Sequence, residues 1–330
     1  MLVCTRKGGE KMVFVRVSGR AIVNVHSANA EGAVGNYMGL SKMFILRRTS
    51  NGYEVTEDAV ISGNMLKHWH AIRMVEVLKE NGYSSLCESC KRFIMYRSTM
   101  DLNNEFEFIK TCAIEDVHGF LQPDASIRRE SLVKFSFMLP VEEMRSEYAA
   151  VTHNRVVLTE EGKIPAEEQA MMVFKREYGS GLYGFLVSMD LKYVGRSLAD
   201  PENKEKTLGV DDRKIRAKVA VLSLADVLSG RFGASIARAL PAIKVEEILC
   251  AVSKSPIPNL VHGFYKDYLE ESARILRALS SSGKQLKVYV YGDKVKEILK
   301  STVPENIVSI EESAYSALVS AAKVTEEWLE

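Results

Sequence analysis

The chain of 330 residues has no run of eighteen apolar residues, and Met1 to Glu10 is charged and glycine-containing. Neither a membrane-spanning helix nor a secretory signal is expected, so the reading is a soluble, cytoplasmic protein with no membrane partner. Cysteine is sparse. Five such residues in a chain of this kind argue against a disulfide framework. An excess of one charge is also missing: 44 Lys and Arg face 43 Asp and Glu, a net charge of +1. No global field exists to hold a polyanion, and any contact with nucleic acid must come from a local basic path. Walker, G-x-S-x-G and dinucleotide-binding fingerprints are absent, as is a helix-turn-helix pattern. The sequence therefore advertises no enzyme. What is present is length for one elaborated domain or two ordinary ones, with 46% hydrophobic residues to bury a core.

Lys11 to Val25 alternates like a strand, with a bend near Ser18-Gly19, and runs into a small-residue loop from His26 to Asn36. Met43 to Arg48 and Tyr53 to Val60 read as strands around the turn Ser50-Asn51-Gly52. A helix is expected from Ser62 to about Lys79, stopped by Asn81-Gly82. Tyr83 to Pro123 is irregular and reads as an insertion, and a second broken region spans Glu147 to Glu168. Ser131 to Leu139 reads as a strand, and Met171 to Tyr178 with Leu182 to Leu191 as a hairpin turning at Gly179-Ser180-Gly181. The last third alternates. Lys214 to Leu228 starts extended and ends helical, Glu246 to Val252 and Lys287 to Tyr291 are strands, and Gly263 to Leu279 and Ser313 to Leu329 are helices. This order fits an α+β fold, an antiparallel sheet with helices on one side.

Ser62-Gly63-Asn64-Met65-Leu66-Lys67-His68-Trp69-His70 carries the clearest chemistry. A helix start leaves backbone N–H groups unpaired and partly positive, a setting for anions, and Lys67 with His68 and His70 adds cations and donors. Met65, Trp69 and Ile72 give the same helix a buried face. Other basic residues fall at segment ends: Arg47-Arg48, Arg128-Arg129, His153-Asn154-Arg155 and Arg231. Singly each reads as a solvated charge; together they can line a groove along a phosphate backbone. Cys87-x-x-Cys90, Cys112 and His118 offer four zinc-type ligands at loose spacing, leaving a structural zinc and three ordinary cysteines as alternatives. Leu182 to Val187 looks superficially like an RNA-recognition motif but lacks its leading basic residue and closing aromatic, and reads as a core strand. Glu31, Asp116 and His118 are the groups a metal-dependent RNA nuclease would use, the minority reading.

Val23 to Gly32, Ile61 to His70, Glu115-Asp116-Val117-His118-Gly119-Phe120-Leu121 and Val151 to Val156 resemble the CRISPR Cascade backbone family, the repeated "Cas-seven" subunit. The similarity, from about residue 12 to 290, is to the archaeal type I-A branch, whose older label is a DevR-type autoregulator. It implies a ferredoxin-like, RNA-recognition-type palm with helical fingers and a thumb β-hairpin. The palm would hold 1–80 (with an RNA-path loop at 26–40), 131–146 and 171–330 with a C-terminal helix. The fingers would be 81–130 and the thumb 147–170. The resemblance further implies a non-catalytic subunit that polymerises head to tail along CRISPR guide RNA, joins other Cascade subunits and meets target DNA through the guide. RNA contacts would come from Asn24, His26, Asn29, Ser62, Asn64, Lys67, His68, His118, His153, Asn154, Arg155 and Arg231. Members that cut RNA carry an aspartate in the loop after the first strand; here that loop has Glu31 and none. A DNA-binding autoregulator is the remaining alternative.

Overall fold

Alternating β-branched residues make Phe14–His26 the first strand, β1, in a computed structural model that describes residues 12–153, 172–200, 203–233, 236–237 and 239–329. The chain continues through β2 (Ala30–Val34), β3 (Tyr37–Leu40), β4 (Lys42–Thr49) and β5 (Gly52–Ala59) into helix α1 (Gly63–Glu80). Short helices α2 (Glu88–Lys91), α3 (Glu105–Thr111) and α4 (Ala113–His118) precede the strands β6 (Phe120–Gln122), β7 (Ile127–Arg129), β8 (Val133–Phe135) and β9 (Leu139–Pro140). Then come β10 (Arg145–His153), β11 (Met172–Met189), α5 (Val210–Leu228), β12 (Ala242–Ser253), α6 (Tyr268–Ser281), β13 (Leu286–Tyr291), α7 (Asp293–Thr302), β14 (Val308–Ile310) and α8 (Ala314–Trp328).

The central sheet is mixed. Its order is β14-β13-β12-β1-β11-β3-β2, with β8, β9 and β10 on the other edge of β11. Most pairs are antiparallel, but β13–β14 and β3–β11 are parallel. Helices cover both faces, where one side was expected. Val15, Val17, Ile248, Cys250 and Tyr289 pack with α1, α5 and α8, whereas Phe14, Leu249, Ala251, Val288 and Val290 pack with α6 and α7. The reason lies in β12 and β13, whose apolar runs leave no polar face for water.

Further expectations are corrected. The loop expected from His26 to Asn36 holds β2, which pairs with β3 inside the expected 26–40 RNA-path loop, Ser131 to Leu139 divides into β8 and β9, and the broken region expected from Glu147 begins inside β10, paired with β11. The hairpin at Gly179-Ser180-Gly181 is instead the middle of one 18-residue strand, β11. Those glycines make room, because a Cβ at Gly179 would meet the Met144 Cε at 2.6 Å and the Leu40 Cδ1 at 3.1 Å. The segment before Leu228 is helical throughout, as Asp211 and Asp212 favour the positive start of α5 and the buried residues fall at helical spacing. α6 starts at Tyr268, later than expected, since Gly263 lies in the loop crossing the sheet, where a Cβ would sit 2.0 Å from the Gly19 carbonyl oxygen.

Other readings agree with the structure. Ser62 caps α1 and Asn81 ends it. β4 and β5 form a hairpin around Asn51-Gly52. Tyr183, Phe185 and Val187 are core, as expected of a core strand. β1 breaks register against β12 at Arg20/Ala21, beside the expected bend. No helix among the described residues is long and apolar enough to cross a membrane.

Candidate nucleic-acid interface at the start of a helix

Ser62 sits in an extended conformation (φ −71°, ψ 141°), and its Oγ accepts the Met65 N–H at 3.1 Å, the bond of an N-cap. Asn29 fixes this cap from outside: its Nδ2 donates to Ser62 Oγ at 2.9 Å, and its Oδ1 accepts the Ser62 N–H at 2.9 Å. Gly63 lets the helix start lie against β8, where a Cβ would be 2.4 Å from the Phe135 carbonyl oxygen. The first turn carries no acid to neutralise the partial positive charge.

An open cleft of about 410 Å³ lies over this helix start, lined by Asn29, Ser62, Asn64, Met65, Lys67, His68, Met95, Arg97, His118 and Gly119. Among these residues there is no carboxylate. Burial first, and the Arg97 guanidinium second, hold the Lys67 ammonium below its ordinary range, and the same two causes lower His68. Like charges confined without a counterion repel one another, and an anion entering the cleft relieves that repulsion. A second cleft of about 470 Å³, near Tyr83 and Lys218, mixes Lys214 and Lys218 with Asp211, Asp212 and Glu326 and has no such polarity.

His118 contributes wall instead of charge. His70 Nε2 donates to the Ala220 carbonyl at 2.7 Å, which leaves His70 Nδ1 to accept from His118 Nε2 at 3.0 Å. That chain of bonds assigns both tautomers as neutral. Burial pushes His70 down to about 4 and His118 well below its ordinary value. Asn64 and His68 are exposed and Lys67 half-buried, so these remain the reachable groups. Arg97 was not singled out in the sequence, because it lies in an irregular loop that only tertiary structure brings to α1.

Other expected contacts fall elsewhere. His26 is 1% exposed, its Nε2 bonds the Tyr183 hydroxyl at 2.6 Å, and burial lowers it to about 4, so it is a neutral core group. A register shift in β1 between Val23 and His26 turns the ring inward, with Val25 at φ 52° and Asn24 left exposed. Arg231 pairs with Glu76 at 3.0 Å, roughly 20 Å along α1 from Ser62 at ~1.5 Å per residue. Arg47 is tied to Asp58 at 2.7 Å. His153 ends β10, but its side chain lies outside the described residues, as do Asn154, Arg155 and the side chain of Glu31.

Residues 17–273 match the family model for the CRISPR-associated negative auto-regulator DevR/Csa2. The chain belongs to the DevR/Csa2 family. It is similar to a Cas7/Cst2/DevR protein of Methanocaldococcus jannaschii, 40% identical over 90% of this chain and 98% of that one. A Cas7/Cst2/DevR protein of Thermoproteus tenax is 41% identical over 84% and 87%. An aCascade Cas7/Csa2 subunit of Saccharolobus solfataricus is 28% identical over 89% and 98%. In fold, a chain of a CRISPR RNA-guided surveillance complex in a pre-nicking state matches with a TM-score of 0.51 at 10% identity, covering 94% of this chain and 100% of that one.

Two further clusters mark this DevR/Csa2 chain. The sulfurs of Cys87, Cys90 and Cys112 lie within 4.8 Å of one another, all buried, a donor set that can hold a metal ion. Hydrogen bonds from Cys112 and Cys90 hold the Cys87 thiol well below its ordinary range. His118 is not part of this group, being turned to His70. The second cluster centres on Asp116, whose Oδ1 accepts from Arg129 Nη2 at 2.6 Å and whose Oδ2 accepts from Arg216 Nη1 at 2.9 Å and the Gly195 N–H at 2.9 Å. Arg129, expected to line a groove, is 3% exposed and also binds Glu105 at 2.7 Å. Asp116 is thus spent on the core and is not available as a nuclease acid.

Proposed function

We propose that this chain is a non-catalytic, guide-RNA-binding backbone subunit of a cytoplasmic type I-A Cascade antiviral complex. The observation that carries the reading is the cleft at the start of α1, where Lys67, His68 and Arg97 converge on an N-capped helix with no acid in the lining. That is a site suited to a phosphate and its sugar. Binding is then largely independent of guide sequence, and pairing between guide and target DNA reads the sequence. The central sheet serves as a ferredoxin-like palm, residues 81–130 as fingers and 147–170 as the thumb. Copies stack head to tail along the RNA, a heterologous contact that propagates as an open helix, and other Cascade subunits cap the array. A structural zinc ion at Cys87, Cys90 and Cys112 belongs to the fingers.

The deciding measurement is affinity for single-stranded RNA at fixed salt. Lys67→Ala and Arg97→Ala should each weaken it about tenfold, the order of one charge-assisted bond, and each should flatten the dependence on salt by about one phosphate contact. Arg231→Ala should leave it unchanged. Unaltered affinity of both cleft variants would remove the cleft from the RNA path. Expression with a CRISPR array should recover guide-length RNA in elongated particles. Metal-dependent RNA cleavage would favour a nuclease, and tight, sequence-specific duplex binding an autoregulator.

A further inference from the structure

We infer that Cys87, Cys90 and Cys112 form a zinc centre that fixes the loop carrying Arg97 into the α1 cleft, so that metal occupancy sets RNA affinity. The proposal rests on the RNA reading above only for its last step.

The donor set fits the ion. Thiolates on one tetrahedral zinc stand roughly 3.8 Å apart, given a Zn–S bond of about 2.3 Å, and these three sulfurs lie within 4.8 Å of one another. Their backbone positions are diverse. Cys87 caps α2, Cys90 lies within it and Cys112 joins α3 to α4, so one ion would tie α2 to the α3–α4 junction. Glu115, one turn beyond Cys112, keeps its Oε2 buried without a partner. Glu115 stays outside the sulfur cluster and holds the loop through its other oxygen, Oε1.

The chain between the thiols and the cleft is strained. Phe93, Met95 and Ser98 take φ values of 59°, 60° and 53°, a left-handed region that side chains of this kind rarely adopt. Such a loop persists only if its surroundings over-determine it. α2 is four residues long and cannot hold itself. The anchors converge on the cysteine centre: Phe93 N–H donates to the Cys90 carbonyl at 3.0 Å, and Ser98 N–H donates to Glu115 Oε1 at 3.0 Å. Arg97 itself places Nη1 3.8 Å from Cys90 Sγ. The guanidinium that enters the cleft is therefore oriented by a metal-binding sulfur. Loss of the ion leaves three buried sulfurs without their common partner, and the loop relaxes.

The test uses the full-length chain. Elemental analysis should give one zinc per chain, and cobalt substitution should give thiolate-to-metal charge-transfer bands whose intensity fits three sulfurs. Cys112→Ser should lower both. Zinc-free protein, prepared with a chelator and checked for retained secondary structure, should exchange the amide hydrogens of Tyr96 and Ser98 at least tenfold faster than zinc-loaded protein. It should also bind single-stranded RNA about tenfold more weakly, and Arg97→Ala should abolish that dependence on zinc. No bound metal, or equal amide exchange with and without it, would overturn the inference. If metal and exchange behave as stated but no form binds RNA, the reading of the cleft fails and the metal-fixed loop stands.

Discussion

Lys67 and Arg97 share a cleft with no acid to answer them, whereas Arg129, Arg216, Asp116 and Glu105 answer one another completely inside the fold. The same side-chain types thus divide into a binding set and a structural set according to what faces them. Removing one member of the buried set strands its partners in low dielectric. Arg129→Ala is expected to cost about 3–5 kcal/mol in chemical denaturation, while Arg128→Ala, exposed next door, should stay within about 0.5 kcal/mol. Equal effects of the two would contradict the assignment. From sequence, Arg128-Arg129 was one basic pair; only burial separates them. His26 and His118 follow the same logic, since an imidazole's charge depends on whether water reaches it, and nothing in the local sequence reports that.

At the level of elements, α1 was legible from end to end. Its Ser cap, apolar spacing and Asn-Gly stop are local signals, and local signals survive folding. The β4–β5 hairpin was legible for the same reason. What was not legible depends on contacts distant in sequence. Gly179 and Gly181 read as a turn because glycine marks turns, yet here they accommodate Met144 from across the strand. Arg97 reaches the cleft through a loop with no periodicity at all. Gly63 tests how closely the site depends on packing at the helix start. Gly63→Ala should destabilise the protein by about 1–3 kcal/mol, since its Cβ meets backbone that cannot rotate away, while Asn64→Ala should be nearly neutral in stability. Denaturant midpoints of the two variants decide this, and a silent Gly63→Ala would show that the helix start is free to move.

The whole molecule carries a pH signature. Burial lowers His26 and His70 to about 4 and holds His118 well below its ordinary value, so between pH 6.5 and 5 the unfolded chain takes up protons there that the folded chain refuses. Glu115 works in the opposite sense: burial first, and Cys112 second, push it up to about 7, so the folded state holds a proton the unfolded state lacks. Three protons against one leave a net uptake on unfolding, and stability falls as pH falls. The slope is roughly 2–3 kcal/mol per pH unit near pH 5.5, at about 1.4 kcal/mol per proton. Denaturant titrations at pH 5, 6 and 7 should show the decline, and a flat profile would mean that these histidines are solvated.

β1 lies between β11 and β12, its two long-range neighbours in the sheet. In register, Val17 stands opposite Val187 and Cys250, the first of them about 170 residues later in the chain. At a synthesis rate of ~5–20 residues per second, the first strand waits roughly ten to thirty seconds for its nearer neighbour to be made. Through that interval an apolar strand with two open edges is exposed on the nascent chain. The sheet's centre is therefore its slowest part to assemble, and the protein's yield in a cell depends on what shields β1 until β11 emerges.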